Sequence, residues 1–354
     1  MSTSPTHSME LPRQILIGKG VMRKLGSFVN SLKGNIKNIC IVSGNTVKSR
    51  IYEECQETFS NACYKFNWYE TPTTNLEEVL TLQSIIAKEP PEMILGIGGG
   101  RSVDVAKIIS YNLKISFISV PTSASHDGIS SPFVSIRSPE KPYSIKAHAP
   151  LGVLADTKLI SEAPPRLQSS GCGDLIGKIT AVKDWELARD EKDEYFGTYA
   201  ASLAYMSAKI IMENSHNLSG NTESEVRTIV EALISAGVAS CIAGSSRPCS
   251  GAEHLFSHAL EYISNNDCGL HGERVGIGTI IMSNLHGLDH EVIVKALENV
   301  NAPTTASELH ISEDMMVKSL LIAQSLRLDR FTILSKLNLD RESARSILRK
   351  VNVI

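Results

Sequence analysis

Three histidines and one aspartate carry the side chains that metal chemistry needs. His254 and His258 stand four residues apart in Ser250-Gly251-Ala252-Glu253-His254-Leu255-Phe256-Ser257-His258-Ala259-Leu260. On a helix this spacing points both imidazoles one way, with Glu261, opposite a stripe of Leu255, Phe256, Ala259, Leu260 and Ile263. Ser250 is placed as the N-cap, and Glu253 three residues later completes a capping-box pattern. His271 lies in His271-Gly272-Glu273-Arg274, where the glycine allows a ligand to come close. Asp174, in Gly171-Cys172-Gly173-Asp174, is read near the start of a helix over 175–188. Each group has a plain alternative. The two histidines are either solvent-exposed or ligands, and the aspartate either complements a helix dipole or is a hard oxygen ligand. Asp plus two His would make a three-ligand catalytic zinc site with positions open to substrate and water. No HExxH run is present, and spacing alone leaves the choice open.

A second kind of chemistry resides in a glycine turn. Gly98-Gly99-Gly100-Arg101-Ser102-Val103-Asp104 follows Met93-Ile94-Leu95-Gly96-Ile97 and precedes a helix read from Ser102. Glycines let a backbone approach an anion, and a helix start offers free N–H groups, a geometry that suits a pyrophosphate. The run is neither GxGxxG nor a P-loop, so a tight turn without ligand stays open as the alternative. The loop Pro121-Thr122-Ser123-Ala124-Ser125-His126-Asp127-Gly128 follows the next strand and so shares the same carboxyl edge. Its hydroxyls can bond phosphate or ribose, and Asp127 can accept from substrate hydroxyls; an ordinary Ser/Asp turn is the alternative.

Two kinds of scaffold must position these groups. The N-terminal half alternates strands (14–18, 39–42, 93–97, 116–120, 153–156) with helical stretches (21–32, 76–87 and the one from Ser102). That alternation predicts a parallel sheet with helical crossovers. Ser43-Gly44-Asn45-Thr46 ends the second strand and starts a helix, and 133–136 reads as part of a hairpin. Pro164-Pro165 reads as a hinge or linker, and beyond it the periodicity is helical. The predicted fold is therefore α/β: a parallel-sheet dinucleotide-binding domain over 1–160 and an all-helical metal- and substrate-binding domain over 161–354.

Composition narrows the function classes. The chain has 354 residues, 35 Lys plus Arg against 38 Asp plus Glu, and a formal net charge of -3, which excludes a generally basic nucleic-acid-coating protein. Aromatics are only 5%, too few for a single-strand stacking platform. The seven cysteines are scattered with no CxxC pair, which argues against a disulfide framework or thiolate zinc site and for reduced thiols in a cytoplasmic protein. The polar start MSTSPTHSME predicts no signal peptide, and no uncharged apolar run approaches the ~18 residues of a membrane helix. No nucleic-acid partner and no membrane insertion are expected, and a homo-oligomer is.

Six segments occur in order: GGGRSVDVAK (98–107), PTSASHDGISSP (121–132), HAPLGVLAD (148–156), GCGDLIGK (171–178), GAEHLFSHALE (251–261) and HGERVGIGT (271–279). Together they resemble the metal-dependent polyol dehydrogenase superfamily that includes glycerol dehydrogenase and dehydroquinate synthase. Within it they are most similar to the archaeal-type sn-glycerol-1-phosphate dehydrogenases, through the SHDG wording of the second loop. The resemblance spans roughly 12–290. It implies a dehydroquinate synthase-like fold with the active site in a cleft between the two parts. It places zinc ligands on Asp174, His254 and His271, and substrate contacts on Asp127, Asp174 and His258. It places dinucleotide contacts on Gly98, Gly99, Gly100, Arg101, Ser102, Val103 and Asp104, on Thr122, Ser123, Ala124 and Ser125, and on Ser131.

The implied reaction is reversible, zinc-dependent reduction of dihydroxyacetone phosphate by NADH or NADPH to sn-glycerol 1-phosphate, the backbone of archaeal ether phospholipids. Asp174, His254, His271 and His258 would be the catalytic set, with a formal site charge of about +1 from zinc and its ligands. His258 would bond substrate or help relay a proton. Lys146, His148 and Lys178 are candidate phosphate contacts; for each lysine the alternative is a solvated surface charge. No acid follows Ile41-Val42 and Lys48 is nearby, so NADP(H) is expected beside NAD(H). Three other readings compete: a glycerol or polyol dehydrogenase acting on an unphosphorylated substrate, a dehydroquinate synthase-like cyclase, and a non-catalytic nucleotide-binding protein.

Overall fold

Short β-branched runs form eight strands in the computed structural model, which describes residues 8–72, 75–135, 144–264 and 268–354. They are β1 (Gln14–Gly18), β2 (Asn38–Ser43), β3 (Lys65–Glu70), β4 (Met93–Gly98), β5 (Ser116–Pro121), β6 (Phe133–Ser135), β7 (Ser144–Lys146) and β8 (Gly152–Asp156). Six pair side by side, all parallel, in the order β1-β8-β5-β4-β2-β3. Strands β6 and β7 form a separate antiparallel pair; Ile136, read as part of that hairpin, lies outside the described residues.

The helices of the first half are α1 (Leu25–Leu32), α2 (Asn45–Asn61), α3 (Leu76–Ile86) and α4 (Gly100–Leu113). They cover both faces of the sheet. Because side chains alternate along a strand, Ile39 and Ile41 of β2 enter one apolar cluster while Cys40 and Val42 enter the other. After β8 every described element is helical: α5 (Thr157–Ser161), α6 (Pro165–Ile176), α7 (Lys178–Lys192), α8 (Thr198–Asn214), α9 (Glu223–Ala243), α10 (Ala252–Ile263), α11 (His271–Leu285), α12 (His290–Asn299), α13 (Glu313–Ile322) and α14 (Arg341–Lys350), with short 3-10 turns between. Their core reaches back to Val153 and Ala155 of β8 and to Ala124 and Ile129 beyond β5.

Four expectations change. The segment 21–32 is a 3-10 turn (Val21–Lys24) followed by α1, not one helix. Strand β3 had no counterpart in the sequence reading; it is a half-exposed edge strand, so it lacks the buried apolar run that marked its neighbours. Pro164-Pro165 is no hinge: Pro164 caps α6 and Pro165 is its first residue, a position where the missing N–H costs no hydrogen bond. Asp174 lies in the last turn of α6, not at a helix start, so the dipole role falls away. Helix α9 is long and apolar enough to cross a membrane by length and composition, but 67% of its apolar window is buried, with α8 packed against it.

Candidate metal and dinucleotide site

The sheet sets the first half of the site. From β2 the chain moves outward to β3, then returns to β4 and proceeds the other way to β5 and β8. The direction therefore reverses between β2 and β4, and their carboxyl ends form the crevice where open α/β sheets bind ligands. The glycine turn lies at this point, and its helix begins earlier than expected, at Gly100, with Gly99 as the cap. A Cβ on Gly100 would lie 1.7 Å from Nε2 of His126, so only glycine lets that ring rest on the turn. A cavity of about 200 Å³ at this edge is lined by Gly99, Thr122, Ser123, Thr46, Val47 and Arg50, among others.

The expected dinucleotide residues divide in two. Gly98, Gly99, Gly100, Thr122 and Ser123 offer backbone and hydroxyls at the edge, the amide of Thr122 donating to Gly98 O at 2.9 Å. The side chains of Val103 and Ala124 are spent on apolar packing, and Ser102 Oγ is engaged by Thr71 Oγ1 at 2.8 Å. Asp104 accepts from the amide of Ser135 at 3.0 Å and lies 3.6 Å from the buried Lys107 ammonium. Arg101 is exposed, Ser125 is half-buried, and Ser131 is buried with its hydroxyl 3.4 Å from the amide of Phe133. Lys48 does not face this cavity; its ammonium lies over the rings of Tyr52 and Trp68. The cation that lines it is Arg50, itself paired with Glu162 at 2.8 Å, and Glu70 at the end of β3 accepts from Asn45 Nδ2 at 2.6 Å.

The second half of the site comes from three helices. Helices α6 and α11 approach so closely that a Cβ on Gly173 would lie 2.3 Å from Gly272 O. That contact brings the end of α6 against the first turn of α11 and sets Asp174 beside His271. Oδ1 of Asp174 is 3.7 Å from Nε2 of His271 and 3.4 Å from Nε2 of His254 on α10. One ligand atom from each of the three residues lies within 4.8 Å of the others. The ring centroids of His258 are 6.4 Å from His254 and 6.1 Å from His271, so all three imidazoles line one cavity with Asp127 and His126. Neither His254 nor His258 is solvent-exposed; both are 8% exposed, because α10 is buried on the polar face as well as the apolar one. Ser250 is not the cap of α10. Gly251 is, and Glu253 turns inward instead of closing a capping box.

Several groups that sequence reasoning did not place complete the electrostatics. Glu253 is buried with Oε1 2.8 Å from Nδ1 of His254. A carboxylate only accepts, so Nδ1 carries a proton and Nε2 is the nitrogen left to face Asp174 and a metal. Lys178, considered for a phosphate contact or a surface charge, is fully buried and pairs with Asp127 Oδ2 at 2.8 Å and Asp174 Oδ1 at 2.9 Å. The amide of Asp127 donates to Asp174 Oδ2 at 3.0 Å, tying the loop after β5 to this candidate ligand. These added groups remove the net positive charge expected from zinc and its ligands alone. Burial would raise the pKa of Asp174, but Lys178 and the two imidazoles outweigh it and hold it well below the carboxylate range. Burial and the neighbouring His254 push His258 and His271 well down. For His254 burial acts downward, yet the two carboxylates prevail and its pKa is raised.

Lys146 and His148 are not brought to this site. Lys146 donates to Gly244 O, and His148 bonds Ser110 and stacks on Phe117 under the sheet. Larger hollows of about 740 and 450 Å³ open at the amino ends of the strands and hold neither the glycine turn nor the Asp174 set.

The description "iron-containing alcohol dehydrogenase" belongs to a family profile that matches residues 16–164. A glycerol-1-phosphate dehydrogenase [NAD(P)+] of Nitrosopumilus maritimus is 49% identical over 99% of this chain and 98% of that protein. One of Cenarchaeum symbiosum, with the same description, is 50% identical over the same shares. The chain belongs to the glycerol-1-phosphate dehydrogenase family. A glycerol dehydrogenase structure from Schizosaccharomyces pombe superposes with a TM-score of 0.82 at 19% identity, covering 99% of this chain and 91% of that one, and shares the fold. For this member of the glycerol-1-phosphate dehydrogenase family, the signal that could have revealed Glu253 was its adjacency to His254. Lys178 had the i, i+4 spacing from Asp174.

Proposed function

We propose that this protein reduces dihydroxyacetone phosphate reversibly to sn-glycerol 1-phosphate with NADH or NADPH, using zinc held by Asp174, His254 and His271. The observation that carries the metal assignment is the spacing of the three ligand atoms. Tetrahedral zinc with bonds of about 2.1 Å sets its ligands roughly 3.4 Å apart, and Asp174 Oδ1 lies 3.4 and 3.7 Å from the two Nε2 atoms. Glu253 behind His254 is the outer carboxylate that such ligands use to fix their tautomer. In this reading residues 1–160 bind the dinucleotide and 161–354 hold metal and substrate.

Zinc, when bound, supplies Lewis acidity toward the C2 carbonyl, and NAD(P)H supplies the hydride. The chain's own residues do the rest. Asp127, partly open to the cavity and anchored by Lys178, accepts a bond from a substrate hydroxyl. His258 is held neutral, so a ring nitrogen can bond the substrate oxygen and hold a proton for it. Backbone N–H groups at the start of α4 face the pyrophosphate. Arg50 lining the crevice and Glu70 beside Asn45 favour acceptance of either dinucleotide. Tyr199, Met206 and Ile210, exposed along α8, support the expected homo-oligomer. The product of this reaction is the glycerophosphate backbone of archaeal ether phospholipids.

The alternative, a polyol dehydrogenase acting on an unphosphorylated ketone, is separated by one comparison. We expect kcat/KM for dihydroxyacetone phosphate to exceed that for dihydroxyacetone by more than about 100-fold, or ~2.7 kcal/mol. Equal values would contradict the phosphorylated substrate.

A further inference from the structure

The buried charges around the metal set give an anionic substrate no net attraction, so the attraction must come from elsewhere in the cavity. The cavity that holds Asp127, His254, His258 and His271 is about 70 Å³. Three of its wall residues, Ser144, Ser250 and His258, also line a narrower hollow whose remaining walls include Arg327 and Arg330. Both arginines lie close enough to His258 for their charges to disfavour its protonation.

Arg330 is an unusual cation. It is 6% exposed, and its guanidinium donates to Ser250 O and to Ser246 Oγ at 2.7 Å, two neutral acceptors. Among the described residues the nearby carboxylates are committed elsewhere: Asp329 to Arg327 at 3.0 Å, Glu194 to Arg247, and Glu253 to His254. Burial, with Arg327 and Arg247 alongside, pushes Arg330 down to about 9, which still leaves it charged at neutral pH. A buried charge without a counter-ion is costly, and a guanidinium fork matches the oxygens of a phosphate.

We propose that Arg330 and Arg327, with the mouth formed by Ser250, His258 and Ser144, are the subsite for the phosphate group of the substrate. The distance agrees with a phosphate at the mouth, since the hollow behind it, about 10 Å³, holds no more than a water. With bonds of about 1.5 Å, the phosphorus of a three-carbon ketone phosphate sits ~5 Å from its C2 oxygen. That step leads from the metal set past His258, whose ring lies 6.4 Å from His254. The hydroxyl and imidazole at the mouth bond the phosphate ester end while Arg330 balances its charge and Arg327, shared with Asp329, offers further N–H donors at the rim. A substrate lacking phosphate leaves Arg330 uncompensated, so the same pair sets the preference for the phosphorylated ketone. This inference rests on the reaction proposed above.

The test measures kcat/KM for dihydroxyacetone phosphate and for dihydroxyacetone, and the inhibition constant of inorganic phosphate, in wild type, Arg327→Gln and Arg330→Lys. Loss of one charged hydrogen-bonding group is expected to lower the phosphate-to-free-ketone ratio by about 10- to 100-fold and to weaken phosphate inhibition by a similar factor. Arg327→Lys should restore part of the ratio. If Arg330→Lys fails to fold, Arg327→Gln decides alone, because its side chain is 21% exposed and lies at the rim. An unchanged ratio together with unchanged phosphate inhibition in Arg327→Gln overturns the subsite. A wild-type enzyme with no preference for the phosphorylated ketone would instead overturn the proposed reaction, and the phosphate inhibition constants would still decide whether the arginines bind phosphate.

Discussion

At the carboxyl edge of the sheet the ligand-facing groups are backbone amides and small hydroxyls; on α6, α10 and α11 they are imidazoles and a carboxylate. The two regions fail in opposite ways. The glycine turn is sensitive to added atoms, since a Cβ on Gly100 would displace the His126 ring that rests on it. The candidate metal set is intolerant of lost atoms, since it is made of single side chains, two of which have a second buried group behind them, Lys178 on Asp174 and Glu253 on His254. A site made of backbone is sensitive to shape, and a site made of side chains is sensitive to charge.

The largest effect should come from the side-chain half. Asp174→Ala is expected to lose zinc and to lower kcat/KM by about 1,000-fold or more; bound metal and turnover measured together check it. Asp174→Asn keeps the shape and so guards against a folding artefact, and Lys178 retains Asp127 as its partner in either variant. Full activity without metal in either variant would break the distinction between the two regions.

A smaller effect is expected one layer out. Glu253→Gln retains an acceptor for His254 but drops the charge, and zinc affinity should fall about 10- to 100-fold, read by competition with a chelator. The pH dependence sharpens the same point. In the metal-free protein His254 has a raised pKa because both ring nitrogens face carboxylates. Zinc must displace that proton, so affinity should fall as pH drops through the raised value, by about tenfold per pH unit. A flat profile between pH 6 and 8 would show that His254 is already neutral. Last, Gly100→Ala should raise KM for NADH by about tenfold while zinc content stays at the wild-type level. A loss of zinc there would mean that the two regions are one cooperative unit.

The same contrast explains how much of the molecule was legible in its sequence. The glycine turn and the buried strands β2, β4, β5 and β8 were readable because their signals are local: apolar runs closed by glycine, serine, proline or aspartate. Strand β3 was not, since an edge strand with one exposed side carries no such run. The three ligands were recognisable as candidates by residue type, but their meeting depends on the α6–α11 approach through Gly173 and Gly272, a contact between residues far apart in the chain. The helical wheel separated the histidines of α10 from its apolar stripe correctly, yet could not show that the polar face is buried too. Lys178 illustrates the limit of the i, i+4 rule, which proposes a pair with Asp174 but not its third partner, Asp127.

The central claim is that this cleft delivers hydride to one face of a phosphorylated ketone. Purified protein, zinc, NAD(P)H and dihydroxyacetone phosphate, with the enantiomer of the product determined, test it most directly. The account predicts sn-glycerol 1-phosphate; sn-glycerol 3-phosphate, or no turnover of the phosphorylated ketone, would contradict it.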